Sequence, residues 1–459
     1  MTIQATVDVE EVIDRNRVGK SQKAVLILCF AVLILDGIDT TMAGYLGQAL
    51  IADWGITKAD LGPVFTSGLV GLAAGSLIAG PLGDRFGRRN VILWSVIFFG
   101  VMSALTALST DVTSFTLLRA LTGLGLGASM PNAATMVAEY APKLRRGVMM
   151  TFIYCGFTLG AALGGYFSSF LIELFSWHWA LIGGGIVPLL FVAFAWFKLP
   201  ESPKFLARTG NQHARLVAIM NKIEPGVAAN DTVFTVDETS VVNQKSPVSA
   251  LVSKPLRLGT AMIWTGFVAA FFTVYLMNSW LPILMGDVGF TLTQIATIGF
   301  LLQIGGTLGN IVIGYAMDRF GQHPTLVVAG VCATVMLLLI GLSGARTVEI
   351  LGLMIFVLGI FTNSIATGFP VMAASFYPTR IRATGTSWAT GIARFGAIGG
   401  AAVGTVMVAA GYGFEQVFVT LTVPVSLGIL AVAIKGLRSR AKADPLASAP
   451  RLPSPIRDR

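Results

Sequence analysis

Twelve stretches of this chain are apolar for long enough to cross a bilayer, at about 24–50, 61–82, 91–109, 113–138, 148–171, 178–198, 257–285, 292–316, 324–343, 347–371, 384–410 and 413–435. Hydrocarbon offers no partner to backbone N–H and C=O groups, so runs of this length must be helices that satisfy their own hydrogen bonds. Composition agrees: 54% of residues are hydrophobic and 12% charged, where soluble domains carry about 25% charged residues. The expectation is an all-α membrane protein of twelve transmembrane helices. They fall into two six-helix halves, 24–198 and 257–435, with an N-terminal tail at 1–23, a central loop at 199–256 and a C-terminal tail at 436–459.

A net charge of +9 would suit a nucleic-acid partner, but the placement of the bases argues otherwise. Twelve spans put both termini on one side of the membrane. All but four of the 32 Lys and Arg fall in the tails and loops of that side, the exceptions being Lys58, Arg346, Arg119 and Arg394. Positive residues stay inside, so both termini are expected in the cytoplasm and the basic surplus is a topology signal. Residues 1–23 mix acids with bases and have no apolar core, which reads as a cytoplasmic tail rather than a signal peptide. Cys29, Cys155 and Cys332 lie in apolar runs without metal-ligand spacing, and His178, His213 and His323 have no nucleophile or metal constellation beside them. Enzyme chemistry, a metal and a disulfide framework are therefore not expected.

The two halves partly repeat each other. GPLGDRFG at Gly80–Gly87 returns as GYAMDRFG at Gly314–Gly321, 234 residues later, and EYAPKLRRG at Glu139–Gly147 has a looser echo in SFYPTRIRATG at Ser375–Gly385. Matching offsets at matching loops indicate pseudo-symmetric halves, with the substrate site between them near the midplane. In the polar interval between the halves, Ala214–Ile223 is amphipathic and is expected at the cytoplasmic membrane surface.

Charges inside the spans mark the candidate site, because an acid or base at mid-membrane costs roughly 2.5 to 3.5 kcal/mol and is kept for a purpose. LDGIDTT, Leu35–Thr41, sets Asp36 and Asp39 three apart on one helix, able to face a common cavity. Arg119 enters the fourth span from the opposite side by roughly 9 Å and Asp36 from the terminal side by roughly 18 Å, so the two reach similar heights and can pair. Either that pair is permanent or a proton or substrate rearranges it. Arg394 lies roughly 15 Å deep in the eleventh span, with no acid in the second half's helices to neutralise it. It invites an anion, for which its planar fork suits a carboxylate, or pairs across the halves with Asp36 or Asp39. Glu139 closes the fourth span as a gate or proton group, or pairs with Arg145 or Arg146. Tyr154, Asn278, Trp280, Gln303, Asn363 and Trp388 stand where they can sandwich and orient a ring, or else serve packing and interface anchoring.

GPLGDRFGRR, Gly80–Arg89, resembles the signature loop of the major facilitator superfamily, and the echo at Asp318 and Arg319 strengthens the likeness. PESPKFL at Pro200–Leu206 resembles a cytoplasmic signature shared by its sugar porters and organic-acid branches. DGIDT, RALTGLGLGASMPNAATMVAEYAP, YLMNSWLP and Arg394 together resemble the aromatic acid:proton symporter family. The resemblance implies import of benzoate-type acids, such as 4-hydroxybenzoate or protocatechuate, across a bacterial inner membrane. It implies a proton as the coupling ion and no cofactor, with one copy of the chain embedded in lipid sufficing. By the resemblance Asp36 and Asp39 serve proton coupling and substrate uptake, and Arg119, Glu139 and Arg394 are required charged positions; with the cavity positions above, Asp36, Asp39 and Glu139 are the expected proton-coupling residues and Arg119, Arg394, Asn278, Trp280, Tyr154 and Gln303 the expected substrate residues. Gly83, Asp84, Arg85, Arg88, Asp318, Arg319 and Arg382 belong to the conformational loops. GFTLGAALGG at Gly156–Gly165 resembles the antiporter motif but has Ala161 where that motif wants Gly-Pro, which weakens the alternative of an exporter. A membrane sensor of aromatic acids is the alternative of a different class.

Overall fold

The computed structural model of the protein describes residues 6–210, 212–229, 232–235, 248–254, 256–344, 347–378 and 381–443. Arg346, residues 236–247 of the central loop and the tail beyond 443 lie outside the described residues. Within them run α1 (Val9–Arg15), α2 (Lys20–Trp54), α3 (Leu61–Phe86), α4 (Arg88–Thr106), α5 (Val112–Tyr140), α6 (Arg146–Leu174), α7 (Trp177–Lys198), α8 (Pro203–Thr209) and α9 (His213–Ile223). The second set is α10 (Arg257–Val288), α11 (Leu292–Phe320), α12 (Gln322–Ser343), α13 (Val348–Phe376), α14 (Arg382–Ala409) and α15 (Phe414–Ala443). The long helices are α2–α7 and α10–α15, as the apolar runs predict. All but α5 are apolar enough to cross a membrane on composition alone. Helix α5 carries Arg119, Asn132 and Glu139, and lies against α2, α3, α4 and α6.

Lipid supplies no hydrophobic drive between helices, so close backbone packing must hold them. Gly71 and Gly75 of α3 lie on the carbonyls of Ala120 and Leu124, and Gly123 and Gly127 of α5 on those of Gly68 and Leu72. The same seam recurs between α11 and α13, where Gly305 and Gly309 meet the carbonyls of Phe356 and Ile360, and Gly359 that of Leu302. A second pair of seams joins α2 to α6 and α10 to α14. Gly156, Gly160 and Gly164 sit on the carbonyls of Phe30, Ile34 and Ile38, as Gly396 and Gly400 sit on those of Val268 and Phe272. Sequence repetition is thus matched by repeated packing. The GFTLGAALGG stretch is one of these seams, with Ala161 buried against Gly37. Gly87 and Gly321, at φ 90° and 86°, turn α3 into α4 and α11 into α12 with a backbone that glycine adopts freely.

The interior is joined at one end only. At the end opposite the chain termini, one hydrophobic cluster includes Tyr45, Leu46 and Phe65 of the first half with Leu276, Trp280 and Leu284 of the second. At the terminal end the cluster around Leu33, Val96 and Met136 draws on the first half and the segments attached to it, while that around Ile263, Phe267 and Phe369 draws on the second half and the loop before it. Polar links follow the same division. Lys58 Nζ pairs with Asp287 at 2.6 Å, Thr293 donates to Glu173 at 2.9 Å and Tyr166 to Thr297 at 3.0 Å, all at the far end. The deepest link described is Thr158 to Thr307 at 2.7 Å. The halves therefore meet from the far end to about the midplane and part towards the terminal end.

The Lys58–Asp287 pair is part-exposed, so its strength is about 0.2 to 1 kcal/mol. Lys58→Glu puts two acids face to face across the seal. We expect a several-fold rise in labelling of Ser279→Cys by an impermeant maleimide from the far side, with Asp287→Lys restoring the closed state in the Lys58→Glu background.

Helix α9 departs from expectation. Its apolar face, Leu216, Val217, Ile219 and Met220, is buried with Val9, Val12 and Ile13 of α1 and Leu206 of α8 rather than facing lipid. A short parallel pair, β1 (Thr6–Asp8) with β2 (Val233–Thr235), ties residues before and after these helices. Arg15 donates to Glu224 at 2.8 Å and 2.9 Å, and this bond, followed by that from Asn16, holds the Glu224 carboxyl below its ordinary range. Protein burial is the better partner because α1 supplies a matching apolar stripe.

Candidate functional site

The two aspartates of α2 have different partners. Asp39 is fully buried and accepts from Arg119 Nη1 at 3.1 Å and 3.2 Å and from Ser103 at 3.1 Å, and Arg119 Nη2 also reaches the Asp39 carbonyl at 3.2 Å. Arg119 thus pairs with Asp39, not with Asp36 as matching depth suggested. Depth by helix rise is good to about one turn; rotation about the axis decides the partner. Asp36, 1% exposed, accepts from Thr40 at 3.3 Å through Oδ1, and its Oδ2 has no hydrogen-bond partner among the described residues. One aspartate is locked in a buried ion pair and the other is left with an open oxygen.

A buried pair broken on one side leaves an uncompensated charge costing about 3 to 5 kcal/mol. Asp39→Ala should therefore cause a large drop in thermal stability in detergent, followed by tryptophan fluorescence. Asp39→Ala with Arg119→Leu should recover part of it, because the stranded guanidinium is gone.

Arg394 on α14 makes no hydrogen bond and no ion pair among the described residues. Its charge nevertheless acts on Asp36 of α2, Tyr154 of α6 and Tyr275 of α10. Tyr154 is 41% exposed, about 12 Å along α6 from its start at Arg146, and the Arg394 charge that reaches it from the other half puts it beside the opening between them. Two tyrosines, one acid and one unpaired guanidinium thus meet where the halves part. Tyr275 also lines a pocket with Thr40, Phe65, Gly68, Arg119, Asn278 and Ser279. Asn278 is held by Gln303 of α11, whose Nε2 donates to its Oδ1 at 3.0 Å.

Other candidates resolve differently. Trp280 is completely buried, donates to the Ala401 carbonyl at 2.9 Å and meets Phe65 edge-on at 5.2 Å, so it is packing at the joined end rather than a ligand contact. Trp388 shares a helical face with Phe395, 72% exposed, and stacks on Trp264 at 6.5 Å. Asn363 bonds its own helix at the Gly359 carbonyl and packs on Gly306. Tyr275 and Ser103 escaped sequence reasoning. Tyr275 sits inside the YLMNSWLP string, beside the Asn278 that was singled out; Ser103 carries no signal in the sequence.

At the terminal end, Arg88 bonds Asp84 at 2.6 Å and the Gly83 carbonyl at 2.6 Å, and reaches Glu139 at 3.4 Å. Glu139 also accepts from Ser202, so its partners are Arg88 and the PESPKFL segment rather than Arg145 or Arg146. Beside it, Glu201 accepts from the Arg89 and Ser202 N–H groups at 3.0 Å and 2.9 Å; burial pushes its carboxyl up, against the pull of these bonds. Gly83 lies against Asn132, which bonds the Ala79 and Ala128 carbonyls. Arg85 lies over Phe86 at 5.2 Å. The echo is bare by comparison: Asp318 is exposed with no hydrogen bond or ion pair among the described residues, and Arg319 bonds Tyr315 at 3.0 Å. Arg382 reaches the Tyr377 carbonyl at 3.4 Å. The two signature loops thus share a glycine turn and differ in their contacts among the described residues.

The sequence profile of the Major Facilitator Superfamily matches residues 28–348 and again 263–458. The chain belongs to the Major Facilitator Superfamily. Within this superfamily of transporters, it is 40% identical over 436 residues to the 4-hydroxybenzoate transporter PcaK of Pseudomonas aeruginosa, covering 95% of this chain and 97% of that one. It is 37% identical over 450 residues to the gallate transporter of Pseudomonas putida, covering 98% and 99%. Among solved structures, the inward-open xylose transporter XylE from E. coli superposes with a TM-score of 0.67 at 19% identity over 90% of this chain and 95% of that one. That likeness establishes the superfamily fold. The protein is accordingly a multi-pass membrane transporter and not an enzyme.

Proposed function

We propose that this protein imports an aromatic carboxylic acid together with at least one proton, by alternating access across a bacterial inner membrane with both termini in the cytoplasm. The observation that carries the reading is Arg394, a guanidinium at mid-membrane with no hydrogen bond or ion pair among the described residues, whose charge reaches Asp36, Tyr154 and Tyr275. An arginine in such a place is costly unless an anion neutralises it, and its fork matches a carboxylate. Tyr154 and Tyr275 beside it offer ring faces and hydroxyls. The names of the relatives, transporters of 4-hydroxybenzoate and gallate, support an aromatic acid as that anion. Coupling has an electrical reason: an anion entering a cell that is negative inside works against about 2.3 kcal/mol per 100 mV, and a proton on Asp36 cancels the charge. The terminal-end opening then corresponds to the state that releases substrate inward.

The test is uptake of radiolabelled 4-hydroxybenzoate into proteoliposomes holding the full chain, with an alkaline interior and no membrane potential. Accumulation above the equilibrium level, abolished by a protonophore, is expected. Uptake indifferent to the protonophore overturns proton coupling, and no uptake of any benzoate overturns the substrate class.

A further inference from the structure

A groove on the outer face of the first half offers an apolar bed with a free positive charge at its mouth. Helices α3, α4 and α5 border a space of about 360 Å³ there, between Ile78, Leu82 and Phe86 of α3, Trp94 and Phe98 of α4, and Ala128 of α5. The buried Ser95 lines it as well. Among the described residues, none of α10–α15 lines this groove, and it shares no residue with the pocket at Thr40, Arg119 and Tyr275. With Phe86 and Trp94 exposed, it faces the surrounding lipid and not the opening between the halves.

Its depth follows from helix rise. On α3 the lining runs from Phe86 back to Ile78 and on α4 from Asn90 to Phe98, so at 1.5 Å per residue the groove descends about 12 Å from the turn at Gly87. A C–C bond of about 1.5 Å advances an extended hydrocarbon chain by about 1.25 Å, so this depth takes about nine or ten carbons of an acyl chain.

The mouth is basic. Arg85 is exposed, its guanidinium stands 5.2 Å from the centre of the Phe86 ring, and it has no hydrogen bond or ion pair among the described residues. On the α4 side Arg89 donates to Asn90 Oδ1 at 3.2 Å and to the Leu199 carbonyl at 2.7 Å. The acids of this loop are engaged elsewhere: Asp84 accepts from Arg88 at 2.6 Å, and Glu201 from the Arg89 and Ser202 N–H groups. A guanidinium fork fits a phosphate, and basic pockets at the membrane surface attract anionic headgroups. The groove alone would accept any chain of the bilayer; the free charge over Phe86 selects among headgroups.

We infer that this groove binds an anionic phospholipid, with its headgroup held by Arg85 and one acyl chain lying between α3 and α4 as far as Ile78 and Phe98. The inference is independent of the transported substrate. Trp94, in the groove wall and edge-on to Trp196 at 6.2 Å, supplies the probe. The test is quenching of Trp94 fluorescence in the full chain held in phosphatidylcholine vesicles, taken as the difference between the unchanged protein and Trp94→Phe. Phosphatidylglycerol, phosphatidylcholine or phosphatidylethanolamine with brominated acyl chains is added at the same low fraction. Brominated phosphatidylglycerol should quench about fivefold more strongly than either zwitterionic lipid, the factor that one arginine near an anionic headgroup supplies. Arg85→Gln should bring the three lipids to parity while quenching by brominated phosphatidylcholine stays unchanged, which reports an embedded, folded protein. Ser95→Phe, which fills the groove, should remove the excess with Arg85 still present. Equal quenching by all three lipids in the unchanged protein overturns the inference, because the groove then holds only bulk lipid. A preference that persists in Arg85→Gln or in Ser95→Phe also overturns it, because the charge or the groove then plays no part.

Discussion

Arg394→Ala lowers uptake at least thirtyfold, while the protein still reaches the membrane and keeps its thermal stability. The separation follows from what Arg394 lacks. It has no described ion pair to break, unlike Asp39 beneath Arg119, and in the proposed cycle the neighbouring Asp36 can be neutralised by a proton. What is lost is the only attraction proposed for the substrate's carboxylate at mid-membrane. Hydrogen bonds to a charged partner in a desolvated site contribute about 2 to 5 kcal/mol, which corresponds to a factor of thirty to several thousand. Arg394→Lys should retain part of the binding and lose the orientation, because an ammonium offers a point charge in place of the planar fork. Uptake and substrate-induced thermal shift, measured on both variants, check this. Full uptake in Arg394→Ala would remove the carboxylate anchor from this position.

The overall fold was legible because a bilayer leaves so few solutions. Twelve runs of spanning length, the basic bias of alternate loops and the signature loop repeated 234 residues apart all report constraints local to the chain. Arg394 was legible for the same reason, since a mid-span cation with no acid in its own half placed to neutralise it is a local anomaly. Partner choice was not. Arg119 matched Asp36 in depth yet bonds Asp39, three residues further on, because the rotation of α5 against α2 is set by Gly71, Gly75, Gly123 and Gly127 pressing α5 onto α3. Trp280 carried a plausible ligand signature, but its place is fixed by Gly404 and the Ala401 carbonyl of α14, more than a hundred residues away in sequence. Glu139 found Arg88 and Ser202 rather than its sequence neighbours for a related reason: the chain turns at Gly87 and returns through the PESPKFL segment beneath α5.

Asp36→Asn should uncouple the transporter while leaving it able to exchange substrate. Asparagine has the shape of a protonated aspartate, so the variant mimics the proton-loaded carrier. The site tolerates that form, since Asp36 Oδ2 has no partner to lose and Thr40 is the one hydroxyl bonded to Oδ1. In the proposed cycle the loaded carrier can reorient with substrate but has no proton to shed inside. Net accumulation should therefore fall to the equilibrium level, insensitive to a pH gradient. Exchange of internal unlabelled for external labelled 4-hydroxybenzoate should continue within about threefold of the unchanged rate. The neighbouring Asp39→Asn provides the contrast, because it breaks the buried pair with Arg119 and should lower stability and exchange together. Accumulation that persists in Asp36→Asn would move the coupling site away from Asp36. Loss of exchange as well would mean that the carboxylate itself takes part in holding the substrate. The difference between the two aspartates is thus a difference in hydrogen-bond partners, and the proposed cycle puts its proton on the one outside the Arg119 pair.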